Sequence, residues 1–313
     1  MTVLLTGAGG FVGSHVLEAL ITQTGTRIVC TDSFQHNGSV DRMVDAMGGG
    51  TRQRVTILTH DLAAPFSPSE RARIADVSDI IHVASLCQVD QSIQMPAAFI
   101  SNNIALTLNV LELARSLRAR VIHMSTDEVF GEGSLTHRPS SPYAASKAAQ
   151  EDICHAYRQT YMVPIQLIIS ANLFGERQSQ LAFVPRIIRA ALQGERLAVH
   201  VTNGTPGTRW YTYVRNVADY IVAVLQGMRY DMPRHYLAGQ LLLDNLNLVQ
   251  LIGELVGKTP DVELVEAELQ RPGYDRSYMT LPENIRWQPK VLVSEGLERT
   301  VRWALKNPEW LEG

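Results

Sequence analysis

The first half of the chain alternates short, almost continuously apolar runs with longer stretches of helical periodicity. Runs at Thr2–Thr6, Arg27–Thr31, Val55–His60, Ile80–Ala84, Arg120–Ser125 and Ile165–Ser170 are rich in β-branched residues and read as strands. Between them, Val12–Thr22, Met95–Leu117 and Pro142–Tyr161 repeat their apolar residues at helical spacing. Strands that are apolar along their whole length are buried on both faces. Their alternation with helices predicts an α/β fold with a doubly wound parallel sheet.

After about residue 171 the rhythm breaks. Loops carrying Gly204, Pro206 and Gly207 precede a helical run, Val217–Gln226, and shorter elements lead to a last helix, Ser294–Leu305. The expected division is residues 1–170 as one domain, with a segment at about 208–238 folding back onto it, and 171–313 as a smaller C-terminal lobe. The run Met95–Leu117 carries two apolar stripes. One is Ile100, Ile104, Leu108 and Leu111; the other is Phe99, Leu106, Val110, Leu113 and Leu117. A helix apolar on two sides needs two surfaces to bury against. One is the sheet; the other is the rest of the chain or a second subunit.

Charge and composition narrow the class. With 313 residues, a net charge of −3 and a pI near 6.3, the chain has no electrostatic footprint for nucleic acid or an anionic membrane. Cys30, Cys87 and Cys154 are odd in number, far apart and without ligand spacing, so neither a disulfide framework nor a metal site is expected. The N-terminus opens directly on a strand pattern, and no apolar run approaches the ~20 residues of a membrane span. A cytoplasmic protein is the expectation.

Chemistry enters with Gly7-Ala8-Gly9-Gly10-Phe11-Val12-Gly13, which follows a strand and opens a helix. Glycines at 7, 10 and 13 let backbone amides approach a diphosphate, and the helix N-terminus supplies partial positive charge. Alone, the same spacing is found in glycine-rich turns. Here Asp32 ends the second strand, where a carboxylate binds both hydroxyls of an adenosine ribose, and no Arg or Lys follows closely to accept a 2′-phosphate. That favours NAD over NADP on a Rossmann-type sheet. Asp61 and Leu62, closing the third strand, stand where an adenine amino group is read, or form an ordinary loop. Ala84, ending the fourth strand, is placed on the same cofactor edge.

A second constellation joins Ser125-Thr126-Asp127-Glu128, after one strand, to Tyr143-Ala144-Ala145-Ser146-Lys147, opening a helix. Tyr and Lys four residues apart share a helical face. A tyrosine that acts as a base needs its phenol pKa lowered, and a neighbouring ammonium does that. Thr126 is expected to hydrogen-bond the same substrate oxygen. His82 and His123 lie on apolar strands and are expected to be satisfied core residues.

With these motifs the chain resembles the extended short-chain dehydrogenases/reductases over essentially its whole length, and within them the nucleotide-sugar 4,6-dehydratases that act on dTDP-glucose. The resemblance is carried by Ser125–Gly131, Ser141–Lys147, Val89–Ile93, Asn172-Leu173-Phe174-Gly175 and Arg271-Pro272-Gly273-Tyr274-Asp275-Arg276. The Thr126-Asp127-Glu128 triplet is its specific part, since epimerases and decarboxylases of the superfamily usually carry another residue at the Asp position. The resemblance implies oxidation at sugar C4 with NAD, elimination of water across C5 and C6, and reduction at C6. Tyr143 is then the base for the C4 hydroxyl, Glu128 the base at C5, and Asp127, with a raised pKa, the acid for the leaving C6 hydroxyl. Arg209 is implied as a contact of the nucleotide diphosphate, with Gln88, Asn172, Arg271 and Tyr274 at the substrate end, and a homodimer built on the Met95–Leu117 and Pro142–Tyr161 helices. A plain loop role remains the alternative for Asn172, Arg271 and Tyr274, and a polar turn for Asp127-Glu128. The chain departs from the pattern at Cys87-Gln88, which replaces Ser-His, and at Ile169, Ala182 and Tyr274. The competing functions are a nucleotide-sugar 4-epimerase, a UDP-glucuronate decarboxylase, and a non-catalytic NAD-binding regulator.

Overall fold

The apolar runs form strands because burial is available on both of their faces: all five residues of Thr2–Thr6 and all six of Ile165–Ser170 are buried. A computed structural model of the chain describes residues 1–48, 52–130, 134–228, 233–237, 241–266 and 288–312. In chain order its first elements are β1 (Thr2–Thr6), α1 (Phe11–Gln23), β2 (Arg27–Asp32), α2 (Val40–Met47), β3 (Val55–Thr59), α3 (Pro68–Arg73) and β4 (Val77–His82). Then come α4 (Val89–Gln94), α5 (Pro96–Leu117), β5 (Arg120–Thr126), α6 (Pro142–Tyr161), β6 (Ile165–Ser170), β7 (Asn172–Phe174), α7 (Phe183–Gln193), β8 (Arg196–Thr202) and β9 (Thr205–Pro206). The last are β10 (Thr208–Tyr213), α8 (Val214–Leu225), β11 (Arg234–Leu237), β12 (Leu241–Asp244), α9 (Asn245–Val256), β13 (Asp261–Glu266), α10 (Val293–Lys306) and α11 (Glu309–Glu312).

The chain forms two compact units. The first comprises Met1–Val129, His137–Ile169 and Val217–Tyr236; the second comprises Phe130–Thr136, Ser170–Asn216 and Leu237–Gly313. A seven-stranded sheet organises the first, in the order β11-β6-β5-β4-β1-β2-β3, with β3, β2, β1, β4 and β5 paired in parallel. The chain therefore runs outward from β1 to β3 and then returns to the other side of β1. This is the doubly wound Rossmann-type topology expected, with its switch point between β1 and β4. Ligands of such sheets bind beyond the strand ends at that crevice. The core on one side packs Leu4, Val29, Ile80 and Val121 of the sheet against Leu106, Val110 and Leu113 of α5.

One strand is shifted from its expected place. β4 covers Val77–His82 rather than Ile80–Ala84. Asp79 looks like a strand breaker in sequence, yet its carboxylate is buried, accepts a hydrogen bond from Ser78 Oγ at 2.7 Å and is ion-paired with Arg120 of β5. At the other end, the Val83 and Ala84 amides donate to Thr6 Oγ1 at 3.2 and 3.3 Å, which turns the chain off the sheet.

By length and hydropathy α5 qualifies as a membrane span, but it packs on α6, β4 and β5 as a core helix of the first unit. Phe99, Leu106, Val110 and Leu113 of its second stripe and Leu111 of the first are in the core, Leu117, Ile100 and Ile104 are half-buried, and Leu108 is exposed. The second unit holds two three-stranded sheets, β12-β10-β7 and β13-β8-β9. Its core is made by Phe174, Ile187, Tyr211, Tyr213, Leu248 and Leu297 among others.

Candidate active site

The turn after β1 is shaped by what it cannot accommodate. Gly7 has φ +66°, and a Cβ there would lie 2.8 Å from Ala84 Cα; on Gly13 it would lie 2.0 Å from the Gly7 carbonyl oxygen. The loop therefore packs directly on the chain leaving β4, at the switch point. α1 begins at Phe11 with Gly10 as its cap, no side chain hydrogen-bonded to the cap position and no acidic residue in its first turn. Phe11 and Val12 are half-buried there. An N-terminus left open in this way suits a diphosphate. Asp32, ending β2, receives the Gly9 and Phe34 amides, each at 3.0 Å, so its carboxylate is fixed beside the glycine loop. The predicted Gly7, Gly10, Gly13, Asp32 and Ala84 are thus brought together, and their chemistry fits NAD. Asp61 stands two residues beyond the end of β3. It is exposed and its Oδ1 caps its own turn by accepting the Ala63 amide at 2.9 Å, while Leu62 is buried and its carbonyl accepts Asn109 Nδ2 at 2.9 Å.

Thr126 ends β5, and Asp127 and Glu128 begin a single 3-10 turn. The Glu128 amide donates to Thr126 Oγ1 at 3.3 Å; Asp127 is buried and Glu128 half-buried. α6 starts at Pro142, with Ser141 Oγ accepting the Ala144 amide at 3.1 Å, and its first turn presents Tyr143. The Tyr143 amide donates to Ser92 Oγ of α4 at 3.2 Å. One turn further, Lys147 is buried and its Nζ donates to the Met124 carbonyl of β5 at 2.8 Å. Burial pushes the Lys147 ammonium down to about 8, against the opposing influence of Cys87, Glu151 and Cys154.

The phenol differs from expectation. Its pKa is raised well above 10, first by burial and then by Glu128, Cys87 and Asp127; the Thr126 hydrogen bond acts the other way, favouring the phenolate. Two carboxyl groups in reach of the phenol outweigh what the helical spacing to Lys147 suggested. Cys87 itself is exposed on the loop leaving β4, and Gln88 next to it caps α4, with its buried Oε1 lacking a hydrogen-bond partner among the described residues.

Several polar residues that support this site carry no sequence motif. Asn103, fully buried in α5, accepts the Leu86 amide at 2.9 Å and donates to the Leu86 carbonyl at 3.0 Å and to Ser146 Oγ at 2.9 Å. Gln150 donates to the Asn103 carbonyl at 2.7 Å and to Thr107 Oγ1 at 2.6 Å. The Asn102-Asn103 pair inside a largely apolar helix was the available signal. His82 is satisfied, bridging Thr6 Oγ1 at 2.8 Å and Thr107 Oγ1 at 3.3 Å. His123 is not: it is buried beside His82 and neither ring nitrogen has a hydrogen-bond partner among the described residues.

The remaining predicted residues lie elsewhere. Asn172 and Arg209 belong to the second unit, on β7 and β10 of one sheet, where Asn172 pairs with Tyr211; Arg209 Nη1 donates to the Thr208 carbonyl at 2.8 Å. Arg271 and Tyr274 lie outside the described residues.

A doubly wound sheet with a glycine turn, a carboxylate fixed beside that turn and a buried Tyr/Lys pair fits a nicotinamide-dependent enzyme. The chain belongs to the NAD dependent epimerase/dehydratase family, whose profile matches residues 3–239, and NAD is its cofactor. It is similar to a dTDP-glucose 4,6-dehydratase of Shigella flexneri, 27% identical over 348 residues that cover 100% of this chain and 95% of the relative. Among solved structures it is similar to a double mutant of DesIV, a dTDP-glucose 4,6-dehydratase from Streptomyces venezuelae with NAD and DAU bound. The identity is 27%, the TM-score 0.88 and the coverage 100% and 99% of the two chains. It is also similar to the UDP-glucose 4-epimerase of Thermus thermophilus in complex with NAD, at 25% identity, TM-score 0.83 and coverage of 97% and 98%.

Proposed function

We propose that the protein is an NAD-dependent nucleotide-sugar 4,6-dehydratase, converting an NDP-hexose such as dTDP-glucose to the NDP-4-keto-6-deoxyhexose. The observation that carries this reading is the pair Asp127-Glu128, both acting electrostatically on the Tyr143 phenol. An epimerase needs one base at C4 and has no use for two further carboxyl groups beside it; an elimination across C5 and C6 needs both an acid and a base. The dehydratase names of the relatives support the same choice.

Gly7, Gly10, Gly13 and Asp32 would hold NAD, which when bound supplies hydride acceptance and donation. Tyr143, its phenol protonated at rest, must first lose that proton; as phenolate it takes the proton of the C4 hydroxyl, with Thr126 hydrogen-bonded to the same oxygen. Once C4 is a ketone, the C5 proton is acidic, and Glu128 removes it. Asp127, the more buried carboxyl, protonates the departing C6 hydroxyl, and Glu128 later returns a proton to C5. In this reading Arg209 meets the nucleotide diphosphate through its forked guanidinium, and Gln88, Asn172, Arg271 and Tyr274 contact the substrate. The first unit is the NAD-binding part and the second the sugar-nucleotide part. Two copies of the chain associate through the outward faces of α5 and α6.

The test is a mass-spectrometric screen of NDP-hexoses for a product lighter by one water, coupled to the alkaline absorbance of a 4-keto sugar. A product of unchanged mass with inverted C4 refutes the dehydratase in favour of the epimerase. Turnover of none of them removes the enzyme reading.

A further inference from the structure

We infer that Glu151 is a positioning residue for this site. Its one buried carboxylate fastens the strand end carrying Thr126, Asp127 and Glu128 to the helix carrying Tyr143 and Lys147, and sets a fixed negative charge beside Lys147. The inference rests on Tyr143 and Lys147 being the proton-handling pair of the proposed reaction. All the residues involved belong to the first unit.

Glu151 lies one helical turn beyond Lys147 on α6 and is fully buried. Oε1 accepts a hydrogen bond from Ser125 Oγ at 2.5 Å, and Ser125 immediately precedes Thr126 at the end of β5. Oε2 is held by the Arg234 guanidinium of β11, Nη2 at 3.3 Å, and by His137 Nε2 at 3.2 Å; the other ring nitrogen of His137 is 3.3 Å from Asp152. A charge removed from water persists only when paired and hydrogen-bonded, and here β5, β11 and the segment leading into α6 all supply partners. Those hydrogen bonds and ion pairs raise the His137 imidazole above its ordinary range, Glu151 contributing first and Asp152 after it, against burial and the Arg234 charge.

The reason for placing such a charge here is Lys147. Three groups around its ammonium favour the charged form: Cys87, Glu151 and Cys154. Both thiol pKa values are raised, that of buried Cys154 to about 12 and that of Cys87, an exposed residue whose thiol is nonetheless desolvated and near Glu128, upward as well, so near neutral pH they carry no charge. His82 and His123 also face Lys147, and burial and the ammonium hold both imidazoles neutral. Tyr143, with its raised pKa, is neutral as well. Glu151 is left as the group that offsets the desolvation of the ammonium. A structural staple alone would require no charge at this position, since an apolar residue of similar volume fills a buried site as well.

The chain has only four lysines, Lys147, Lys258, Lys290 and Lys306, so Lys147 can be titrated directly by NMR of the full-length protein labelled with ¹³Cε-lysine, without substrate. Glu151→Gln should lower the Lys147 midpoint by on the order of one unit, leaving the other three lysines unmoved. The alkaline limb of turnover should move down with it. Glu151→Asp keeps the charge and should restore most of the shift. Ser125→Ala cuts the tie but keeps the charge, so kcat should fall about tenfold with KM and the Lys147 midpoint unchanged. That variant tests the positioning half even where Glu151→Gln does not fold. A folded Glu151→Gln with an unmoved midpoint, or Ser125→Ala with normal kcat, overturns the proposal. Because the midpoint is read without turnover, a shifted midpoint in an enzyme that proves to be an epimerase would sink the dehydratase reading alone.

Discussion

Gly13→Ala is the substitution that most directly examines how the cofactor loop is built. A methyl at residue 13 would stand 2.0 Å from the Gly7 carbonyl oxygen, 2.8 Å from its carbon and 3.0 Å from Ala8 Cα. Comfortable non-bonded separations are ~3.5 Å, so the loop or the helix must move by more than about 1 Å. Neither is free to do so cheaply. The Gly7 amide donates to the Thr31 carbonyl at 2.8 Å, and the Gly7 carbonyl accepts the Gly10 amide at 3.0 Å. Overpacking of this kind costs about 1–3 kcal/mol, a fall in Tm on the order of 5 °C for a chain this size. The larger effect should be on NAD. Displacing the loop amides forfeits one or two charge-assisted hydrogen bonds to the diphosphate and weakens binding about ten- to a few hundredfold. Calorimetric titration with NAD, alongside thermal melts with and without it, reads both quantities. Gly25→Ala is the control, because a Cβ there meets nothing within 4 Å, and it should leave both unchanged. Gly13→Ala binding NAD within about threefold of the parent at an unchanged Tm would refute the close approach on which the cofactor assignment stands.

Other substitutions bear on the chemistry and assembly. Glu128→Gln and Asp127→Asn should accumulate enzyme-bound NADH on mixing with substrate and then stall, whereas Tyr143→Phe should form none. Each loses about 10²–10⁴-fold in turnover, and Tyr143→Phe accumulating NADH like the others would refute the assigned roles. Cys87 is exposed, though its thiol pKa is also raised, while Cys30 and Cys154 are buried with thiols pushed up to about 12, so a maleimide should label Cys87 alone, slowly at neutral pH and faster as pH rises, and abolish turnover, with NAD plus substrate protecting. Retained activity after stoichiometric labelling would place Cys87 outside the site. Light scattering at micromolar concentration should give twice the chain mass, and Leu108→Glu, on the exposed stripe of α5, should halve it; a parent already monomeric removes the proposed dimer.

The sheet was legible because its inner strands are buried on both faces, which leaves runs such as Ile165–Ser170 without ambiguity, while edge strand β3 has only Leu58 buried. Helices α7 and α9 were not. Pro185 reads as a breaker, but it falls in the first turn of α7, where no backbone donor is needed. In α9, Gly253 weakens the periodic signal, yet it is required: a Cβ there would come within 2.5 Å of Thr259 Oγ1. The first is decided by where the helix begins and the second by how the chain folds back after its end, and hydrophobic periodicity reports neither.

The same distinction runs through the site. Tyr143 and Lys147 were legible because four residues of helix put them on one face, and Thr126, Asp127 and Glu128 because they are contiguous. The field those residues share was not legible. Proximity to an ammonium predicted a depressed phenol pKa, but the fold buries the phenol and the charges of Glu128 and Asp127 act on it, and the net shift is upward. That sign follows from depth and from charges on another element, β5 and its turn, which no spacing rule relates to α6. The Glu151 cluster makes the point again: His137, Glu151 and Arg234 meet although 14 and 83 residues separate the two basic residues from the carboxylate. A motif names the groups that can move protons; which of them holds a proton in the resting enzyme is decided by the burial and the distant partners the fold supplies.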